Sequence, residues 1–159
     1  AISGSPSNSI LHLRGGTYNV LQTLVVNRRL QILGGFTGTG ASRNIVGNPS
    51  VLNGGTAVTI MRTSNSSSNT IIDGLTFLDG YAAPGIDVND IKPGALEIGG
   101  SSTTITNCIF RNNVSRNRIG SSAIYLWSSD NIIIDNCHFE NNRVEENTSS
   151  NGILEEQYM

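Results

Sequence analysis

Residues 105–113 read ITNCIFRNN, and residues 134–142 read IDNCHFENN. The two stretches share Ile, Asn, Cys, Phe and the closing Asn-Asn at matching places, so that Cys108 corresponds to Cys137 at an offset of 29. Upstream, the ALEI of residues 95–98 returns as the AIYL of residues 123–126, at an offset of 28. A fixed period of about 20–50 residues is the signature of a solenoid, in which each unit buries its apolar side only against its neighbours. This repeat therefore decides the fold class.

The repeat is predicted to consist of short strands. Apolar residues alternate over short runs, and no window keeps the i, i+3, i+4, i+7 stripe of an amphipathic helix. Asn, Ser, Gly and Thr interrupt these runs about every ten residues, as turns do. The alternation shifts between Ile105 and Cys108, and again between Ile134 and Cys137, so a bend there keeps both side chains pointing inward. We predict an all-β, right-handed, single-stranded parallel β-helix whose turns, or rungs, of about 28–29 residues stack at about 4.8 Å.

Earlier copies of the repeat are more diverged. Residues 72–80 (IDGLTFLDG) align with residues 105–113, but at the longer offset of 33. We place the four extra residues in an outward loop at residues 80–94, and a second loop at residues 62–69. Residues 57–60 (AVTI) are interpreted as another copy of the strand at 95–98. The whole chain, residues 1–159, is predicted to be a single β-helix segment.

Matching positions of successive rungs define the candidate structural site. Inward-facing residues are expected to form stacks, namely Ile72, Ile105 and Ile134; Phe77, Phe110 and Phe139; Cys108 and Cys137; and Asn113 and Asn142. Inward asparagines at a turn are expected to hydrogen-bond the bent backbone. On the outer face, Arg111 and Glu140 are separated by the same offset of 29, as are Arg116 and Glu145, so both pairs are predicted to form salt bridges between rungs. Exposed pairs of this kind contribute about 0–1 kcal/mol.

The two cysteines allow three interpretations. They are compatible with a disulfide, with half of a metal site, or with small apolar residues in the core. Side chains on neighbouring parallel strands point the same way, which suits a disulfide poorly, although about 4.8 Å between Cα atoms lies in range. Leu75 occupies the corresponding earlier position, where no sulfur is needed. We predict that Cys108 and Cys137 are unbridged.

The composition is typical of an extracellular protein. Charged residues make up 14% of the chain, the net charge is −2, and Lys92 is the only lysine. Because no basic face is evident, nucleic acids and anionic membranes are poor partners. No apolar run approaches the roughly 18 residues of a transmembrane helix. Abundant Asn, Ser, Thr and Gly with little Lys is typical of secreted β-solenoids.

Two motifs resemble a known family. The FxxN motifs at residues 110–113 and 139–142, with the strand starts GAL at 94–96 and SAI at 122–124, resemble the repeats of chlamydial polymorphic outer-membrane proteins. That family alternates FxxN with GGA(I/L/V), and similar repeats occur in many bacterial surface β-helix proteins. The resemblance covers about residues 10–154. It implies an autotransporter-like passenger, extracellular or associated with the outer membrane, that serves in adhesion or as a spacer.

Catalysis is the main alternative. A glycosidase needs two acids facing one groove. Asp73 and Asp135 fall in one column two rungs, or about 9.6 Å, apart, and Asp87 and Asp90 lie in the loop at 80–94. No group of acids converges with Arg or Lys on one face, so no catalytic residue, metal site or cofactor is predicted.

Single aromatic and imidazole side chains are weaker candidates. Tyr81, Trp127 and Tyr158 would stack on sugars if they lie on loops, and Trp127 would equally fill a corner of the fold. His12 and His138 are interpreted as outward strand residues without partners.

We therefore interpret the chain as a non-enzymatic, surface-exposed or secreted β-helix passenger, an adhesin or structural stalk with a host-cell or glycan ligand. The alternative is a carbohydrate-active β-helix protein, a polysaccharide lyase or hydrolase or a tailspike-like glycan binder, whose active rungs lie outside this segment. Ile153 follows Ile124 at the same offset of 29, so a new rung starts shortly before Met159. This predicts a fragment of a longer solenoid, or self-association through an open C-terminal rung.

Overall fold

The computed structural model describes residues 2–38, 42–84, 92–100, 102–116 and 121–145. Within these ranges the chain forms short strands and two single turns of 3-10 helix, at Ile2–Gly4 and Asn65–Ser67, and no α-helix. The strands in chain order are β1 (Ser9–Arg14), β2 (Gly16–Asn19), β3 (Leu24–Val26), β4 (Leu30–Phe36), β5 (Ser50–Asn53), β6 (Met61–Thr63), β7 (Ile71–Asp73), β8 (Leu75–Leu78), β9 (Tyr81–Ala82), β10 (Leu96–Gly99), β11 (Thr104–Thr106), β12 (Ile109–Arg111), β13 (Val114–Ser115), β14 (Ile124–Trp127), β15 (Ile133–Asp135), β16 (His138–Glu140) and β17 (Arg143–Val144).

These strands form four sheets, and all strand pairs within them are parallel. Sheet I is β1-β4-β7-β11-β15, sheet II is β2-β5-β8-β12-β16, sheet III is β9-β13-β17 and sheet IV is β3-β6-β10-β14. The chain contributes one strand to each sheet in the order I, II, III, IV and then returns to sheet I. Its first two passages through this order have no strand in sheet III, which starts with β9 in the third passage. We call the passages repeats 1 to 5, which begin at β1, β4, β7, β11 and β15. The protein is thus all-β with parallel sheets, an arrangement compatible with a parallel β-helix.

The register of sheets I and II agrees with the sequence repeat. Ile105 pairs with Ile134 on one side and Ile72 on the other. Phe110 likewise lies between Phe139 and Phe77. The offsets of 29 and 33 residues in the sequence therefore predicted which residues pair between adjacent strands.

The extra residues of repeat 3 lie between sheets III and IV. Ala82 pairs with Ser115, and Leu96 pairs with Ile124, so the connection from sheet III to sheet IV is longer in repeat 3 than in repeat 4. The loop predicted at 80–94 starts later than expected, because Tyr81 and Ala82 form β9. Residues 85–91 of that loop lie outside the described residues.

Left-handed residues make the bends between sheets. Asn107 and Asn136 have φ of 52° and 47°, and Gly74 has φ of 70° at the corresponding place. Asn and Gly adopt this conformation at lower cost than other residues. One left-handed residue between Ile105 and Cys108 turns the chain so that both face the interior, which explains the shifted alternation of apolar residues.

The core consists of the stacked inward residues of repeats 2 to 4. Ile72, Phe77, Ile105 and Phe110 are fully buried, and Cys108 is 1% exposed. Burial of apolar surface contributes about 25 cal/mol per Å², so each repeat is stabilised by the two that flank it.

Repeat 5 differs from the predicted burial. Ile134 is 43% exposed, Phe139 is 48% exposed, and Cys137 is partly exposed. Each of these residues packs on repeat 4, but no strand in the described part of the chain pairs with the other side of repeat 5. The residues are stacked as predicted, with one side open.

The prediction for sheet IV was wrong in register. Leu96 pairs with Met61 and not with a residue of 57–60. Met61 and Thr63 are fully buried whereas Arg62 is exposed, so Met61, and not Val58, takes the inward position that Leu96 has in β10. The loop predicted at residues 62–69 consequently begins only after Thr63.

Candidate functional site

An asparagine ladder closes the bend between sheets II and III. Asn113 is fully buried. Its Oδ1 accepts the backbone N–H of Gly80 at 2.8 Å, and its Nδ2 donates to the carbonyl of Phe77 at 3.1 Å and to Oδ1 of Asn142 at 2.8 Å. The Nδ2 of Asn142 in turn donates to the carbonyl of Phe110 at 2.8 Å. Since buried backbone groups need partners, the last Asn of FxxN holds the backbone of adjacent repeats together.

Gly80 explains why repeat 3 lacks this asparagine. A Cβ on Gly80 would lie 2.1 Å from the carbonyl oxygen of Gly94 and 2.7 Å from Oδ1 of Asn113. Gly80 thus lies too close to the Gly94 carbonyl of its own repeat, and to the Asn113 amide of repeat 4, to carry a side chain. The amide of Asn113 therefore serves the bends of both repeats.

The aromatic column is continuous through three repeats. The rings of Phe77 and Phe110 are 4.8 Å apart between centroids and 4° from parallel, and those of Phe110 and Phe139 are 5.0 Å apart and 8° from parallel. Leu52 and then Tyr18 continue the same register towards repeat 1. The ring spacing matches the separation of hydrogen-bonded strands.

The two thiols are free and lie together, each just before a strand of sheet II. Cys108 is buried, and Cys137 is partly exposed. Each thiol donates to backbone carbonyls, Cys108 to Thr106 and Cys137 to Asp135. Interaction with the neighbouring Cys108 thiol lowers the pKa of Cys137 to about 7. The same interaction, together with burial, raises the pKa of Cys108 above its usual range. Within the residues that the structure describes, no group of three or more His, Cys, Asp or Glu side chains is placed to hold a metal.

A charged network surrounds Asp73. Arg43 donates to its Oδ2 from Nη1 at 2.5 Å and to its carbonyl from Nη2 at 2.9 Å, and Asn107 donates to its Oδ1 at 2.8 Å. Burial opposes ionisation, but the hydrogen bonds outweigh it and lower the pKa of Asp73. The carboxylate is thus ionised with both oxygens engaged. Asp135 is exposed in the same column, with Thr106 between the two acids.

The outer face carries ion pairs between adjacent repeats. Nε of Arg111 lies 2.8 Å from Oε2 of Glu140, and Nε of Arg116 lies 2.7 Å from Oε2 of Glu145. A third pair joins Arg62 to the largely buried Glu97 at 2.8 Å. We did not predict this pair because the register of sheet IV was misassigned. Arg43 was also missed, since it approaches Asp73 from a connecting segment that has no repeat signal.

The aromatic and imidazole candidates have specific contacts. His12 was predicted to lack a partner, but it stacks on Phe36 with 3.9 Å between ring centroids. Trp127 packs against Gly99, where a Cβ would lie 2.6 Å from the indole. The guanidinium of Arg116 lies 5.9 Å from the ring centroid of Tyr81.

His138 also has a neighbour. Its Nε2 lies 3.8 Å from Oε2 of Glu140, so this residue too was wrongly predicted to lack a partner. Tyr158 and the rung predicted from Ile153 onward lie outside the described residues.

The inner side of repeat 1 is an open apolar cavity of about 600 Å³. It is lined mainly by residues whose equivalents are buried in repeats 2 to 4, among them Leu11, Leu13, Val20 and Leu24, with Ile32, Leu52 and Met61 behind them. The sequence repeat gave no sign of this cavity, because repeat 1 is too diverged from repeats 4 and 5 to be aligned with them.

No helix within the described ranges is long and apolar enough to cross a membrane. Comparison of the chain with models of known protein families, with curated proteins and with solved structures gives no match.

Proposed function

We propose that the four sheets are the sides of one right-handed parallel β-helix, and that this β-helix is a non-enzymatic adhesin passenger or structural stalk, secreted or exposed on a bacterial surface. The observation that carries the proposal is the cyclic order in which the chain visits the sheets, which recurs over five repeats with parallel pairing and with one register shift, between His12 and Arg14. Such a chain builds a scaffold whose length grows with the number of repeats.

The polar side chains of the repeats support a structural role. Asn113 and Asn142 bond backbone groups of neighbouring repeats, and Arg111 binds Glu140 across the same step. Asp73, one of the two acids that share a column in sheet I, has both oxygens engaged by Arg43 and Asn107. A general acid needs a raised pKa, and the pKa of Asp73 is lowered.

The resemblance to chlamydial polymorphic outer-membrane protein repeats gains a physical basis from the FxxN motif. Phe110 fills the core column, Asn112 takes the left-handed conformation with φ of 57°, and Asn113 holds the bend. A chain that repeats this motif reproduces the same bend in each rung. This supports a surface β-helix as the function class, with a host-cell or glycan ligand as the proposed partner.

Binding and cleavage assays separate this proposal from the carbohydrate-active alternative. Labelled protein is applied to a glycan array and to cultured epithelial cells, and the protein is incubated separately with polyuronates in the presence of calcium. We expect no unsaturated uronate product; binding to cells or glycans identifies an adhesin, and its absence identifies a stalk. Heat-unfolded protein is the control for nonspecific binding. Cleavage of any polyuronate would overturn the proposal.

Location is tested on intact cells. An antibody raised against the folded chain should label unpermeabilised cells of the native organism or detect the chain in the culture medium. Labelling that requires permeabilisation would contradict surface exposure.

A further inference from the structure

The two free cysteines are in register on adjacent repeats. Just before them in the chain, Thr106 pairs with Asp135. Just after them, Ile109 pairs with His138. Both thiols therefore belong to one column, and the space between them is bounded by repeat 4 on one side and by repeat 5 on the other. What this space can hold follows from these two repeats alone.

Each sulfur occupies the same place within its repeat. Sγ of Cys108 lies 3.2 Å from the carbonyl oxygen of Thr106, and Sγ of Cys137 lies 3.3 Å from that of Asp135. Each sulfur also lies 3.7 Å from a carbonyl oxygen of the preceding repeat. The two sulfurs are thus related by one step of the stack, about 4.8 Å. The phenylalanine rings of the same two repeats show this step directly, with 5.0 Å between centroids.

This separation suits a bridging ion better than a disulfide. A disulfide needs sulfurs about 2.05 Å apart, so both side chains would have to leave the places just described. An ion held linearly by two thiolates, with metal–sulfur distances of about 2.3 Å, keeps its sulfurs about 4.6 Å apart. Such an ion therefore fits between the two sulfurs with the register of the repeats unchanged.

The ionisation of the pair also favours a cation. Interaction with the Cys108 thiol lowers the pKa of Cys137 to about 7, and a backbone hydrogen bond from Cys108 acts in the same direction. The neighbouring thiol and burial raise the pKa of Cys108, against a backbone hydrogen bond from Leu75. The pair thus releases one proton near neutral pH and retains the second, because two adjacent thiolates repel each other. A positive ion between the sulfurs removes this repulsion and replaces the second proton.

The number of ligands selects the ion. Zinc takes four ligands, and no group of three or more His, Cys, Asp or Glu side chains is placed to hold a metal in the described part of the chain. Phe139 stacks inward, so its neighbour His138 projects from the opposite face of β16, where it lies beside Glu140. Soft thiolate ligands suit Cu(I), and Cu(I) is satisfied by two of them.

We propose that Cys108 and Cys137 form a two-coordinate site for Cu(I), which joins repeat 4 to repeat 5. On binding, two S–H bonds break, two S–Cu bonds form and two protons pass to the solvent. Copper stays in the Cu(I) state, so no electron is transferred. The inference goes beyond the proposed function and is independent of it, because it needs only the observed pairing of repeats 4 and 5.

A competitive titration tests the site. The protein is refolded from urea with one equivalent of Cu(I), kept reduced by ascorbate in anaerobic buffer, so that loading does not require a route through the folded chain. Competition with the Cu(I) chelator bicinchoninate should show one copper per chain. X-ray absorption of the loaded protein should show two sulfur neighbours per copper. Zn(II) added in the same way should be removed by a chelator.

Single substitutions identify the ligands. Cys108→Ser and Cys137→Ser should each abolish the one-to-one complex, because one thiolate is left. Cys137 is partly exposed, so Cys137→Ser keeps the test valid if Cys108→Ser fails to fold. His138→Ala is the matched control, since it removes a possible metal ligand next to Cys137 but outside the proposed site, and it should bind copper as the wild type does. Circular dichroism checks the fold of each variant.

Thermal unfolding gives a second measurement. An ion that binds only the folded pair stabilises the folded state, so Cu(I) should raise the unfolding temperature of the wild-type protein and leave that of Cys137→Ser unchanged.

Loss of copper from the wild-type protein to the chelator would overturn the inference. Equal retention by Cys137→Ser, or loss of binding in a folded His138→Ala variant, would overturn it as well. None of these results bears on the binding, cleavage and labelling assays of the proposed function, so the two proposals can fail separately.

Discussion

At the residue scale, Asn113 is the most constrained polar side chain of the repeats. Its amide satisfies the N–H of Gly80, the carbonyl of Phe77 and the side chain of Asn142 while it is fully buried. Asn113→Ala leaves these groups without partners, and each buried unsatisfied group costs about 1–3 kcal/mol. We expect the free energy of unfolding to fall by about 2–4 kcal/mol, measured by urea denaturation.

Asn142→Ala is the matched control for that measurement. Asn142 makes the equivalent bond to Phe110 and accepts from the side chain and the backbone N–H of Asn113, but it is only partly buried. Water can replace its amide, so its loss should cost clearly less. Equal costs for the two substitutions would contradict the assigned role of burial.

The lowered pKa of Cys137 predicts that the rate of its alkylation depends on pH. The pKa of Cys137 is lowered to about 7 by interaction with the neighbouring thiol of Cys108, whose own pKa is raised. Only the thiolate is nucleophilic, so iodoacetamide should modify Cys137 at a rate that rises through pH 7, while the buried Cys108 reacts slowly. Mass spectrometry of peptides separates the two sites. Cys108→Ser, which changes the neighbouring thiol, should shift the midpoint, and equal rates at both cysteines would contradict the arrangement.

The ionised carboxylate of Asp73 should account for part of the stability that the protein loses in acid. Burial would raise its pKa, but the hydrogen bonds from Arg43 and Asn107 lower it below the ordinary value of 3.8. A carboxylate with a lowered pKa contributes stability that is present above its unfolded pKa and is lost as pH falls through its folded pKa. Asp73→Asn should therefore be less stable at neutral pH and lose less stability below about pH 4, as measured by thermal unfolding across pH. An unchanged acid profile would contradict the network.

At the scale of elements, recurring side-chain identity decided what could be predicted. The columns through Ile105 and Phe110 were correct because the same residue types recur at each step. Sheet IV was misassigned because the AVTI of residues 57–60 has an Ala followed by apolar residues one and three positions later, as the later copies ALEI and AIYL do. The true strand β6 starts one residue after this stretch, at Met61.

Residues in the segments that connect the strands do not recur with the sequence repeat, so their contacts could not be predicted from it. Arg43 reaches Asp73 from the segment between β4 and β5, and its position in sequence gives no hint of its partner. The left-handed Asn107 and Asn136 did leave a signal, namely an Asn at the position where the apolar alternation shifts. Sequence reasoning located this bend without recognising that Asn forms it.

The ion pairs on the outer face should contribute little to the free energy of unfolding, and exchanging the two charges of a pair should preserve that contribution. Arg111 and Glu140 are 45% and 40% exposed in their side chains, so solvent screens their attraction. Arg111→Glu should lower the free energy of unfolding by about 1 kcal/mol or less, and Glu140→Arg added to it should restore most of the loss. Urea denaturation of the single and double variants measures the coupling. If the double reversal is no more stable than the single one, the pair does not contribute to register.

At the scale of the whole molecule, each repeat pairs only with its neighbours. The strand pairs of sheet I join repeat 1 to 2, 2 to 3, 3 to 4 and 4 to 5, and none within the described ranges skips a repeat. Stability in such a protein is approximately a sum over repeats and the interfaces between them. The chain should consequently tolerate removal of a whole repeat better than removal of part of one.

Deletion of residues 108–136 tests this expectation. The deletion removes one complete period and joins Asn107 to Cys137, so one left-handed bend residue replaces another, with φ of 52° and 47° before the change. Phe139 then takes the place of Phe110 on Phe77. We expect a folded protein with the same strand signal in circular dichroism and a lower unfolding temperature, because one repeat of buried apolar surface is lost. Deletion of residues 108–121 removes about half as much chain but joins Asn107 to the start of the sheet IV strand, which misaligns all later columns. A half-repeat deletion that unfolds as cooperatively as the whole-repeat deletion would show that the repeat is not the unit of this fold.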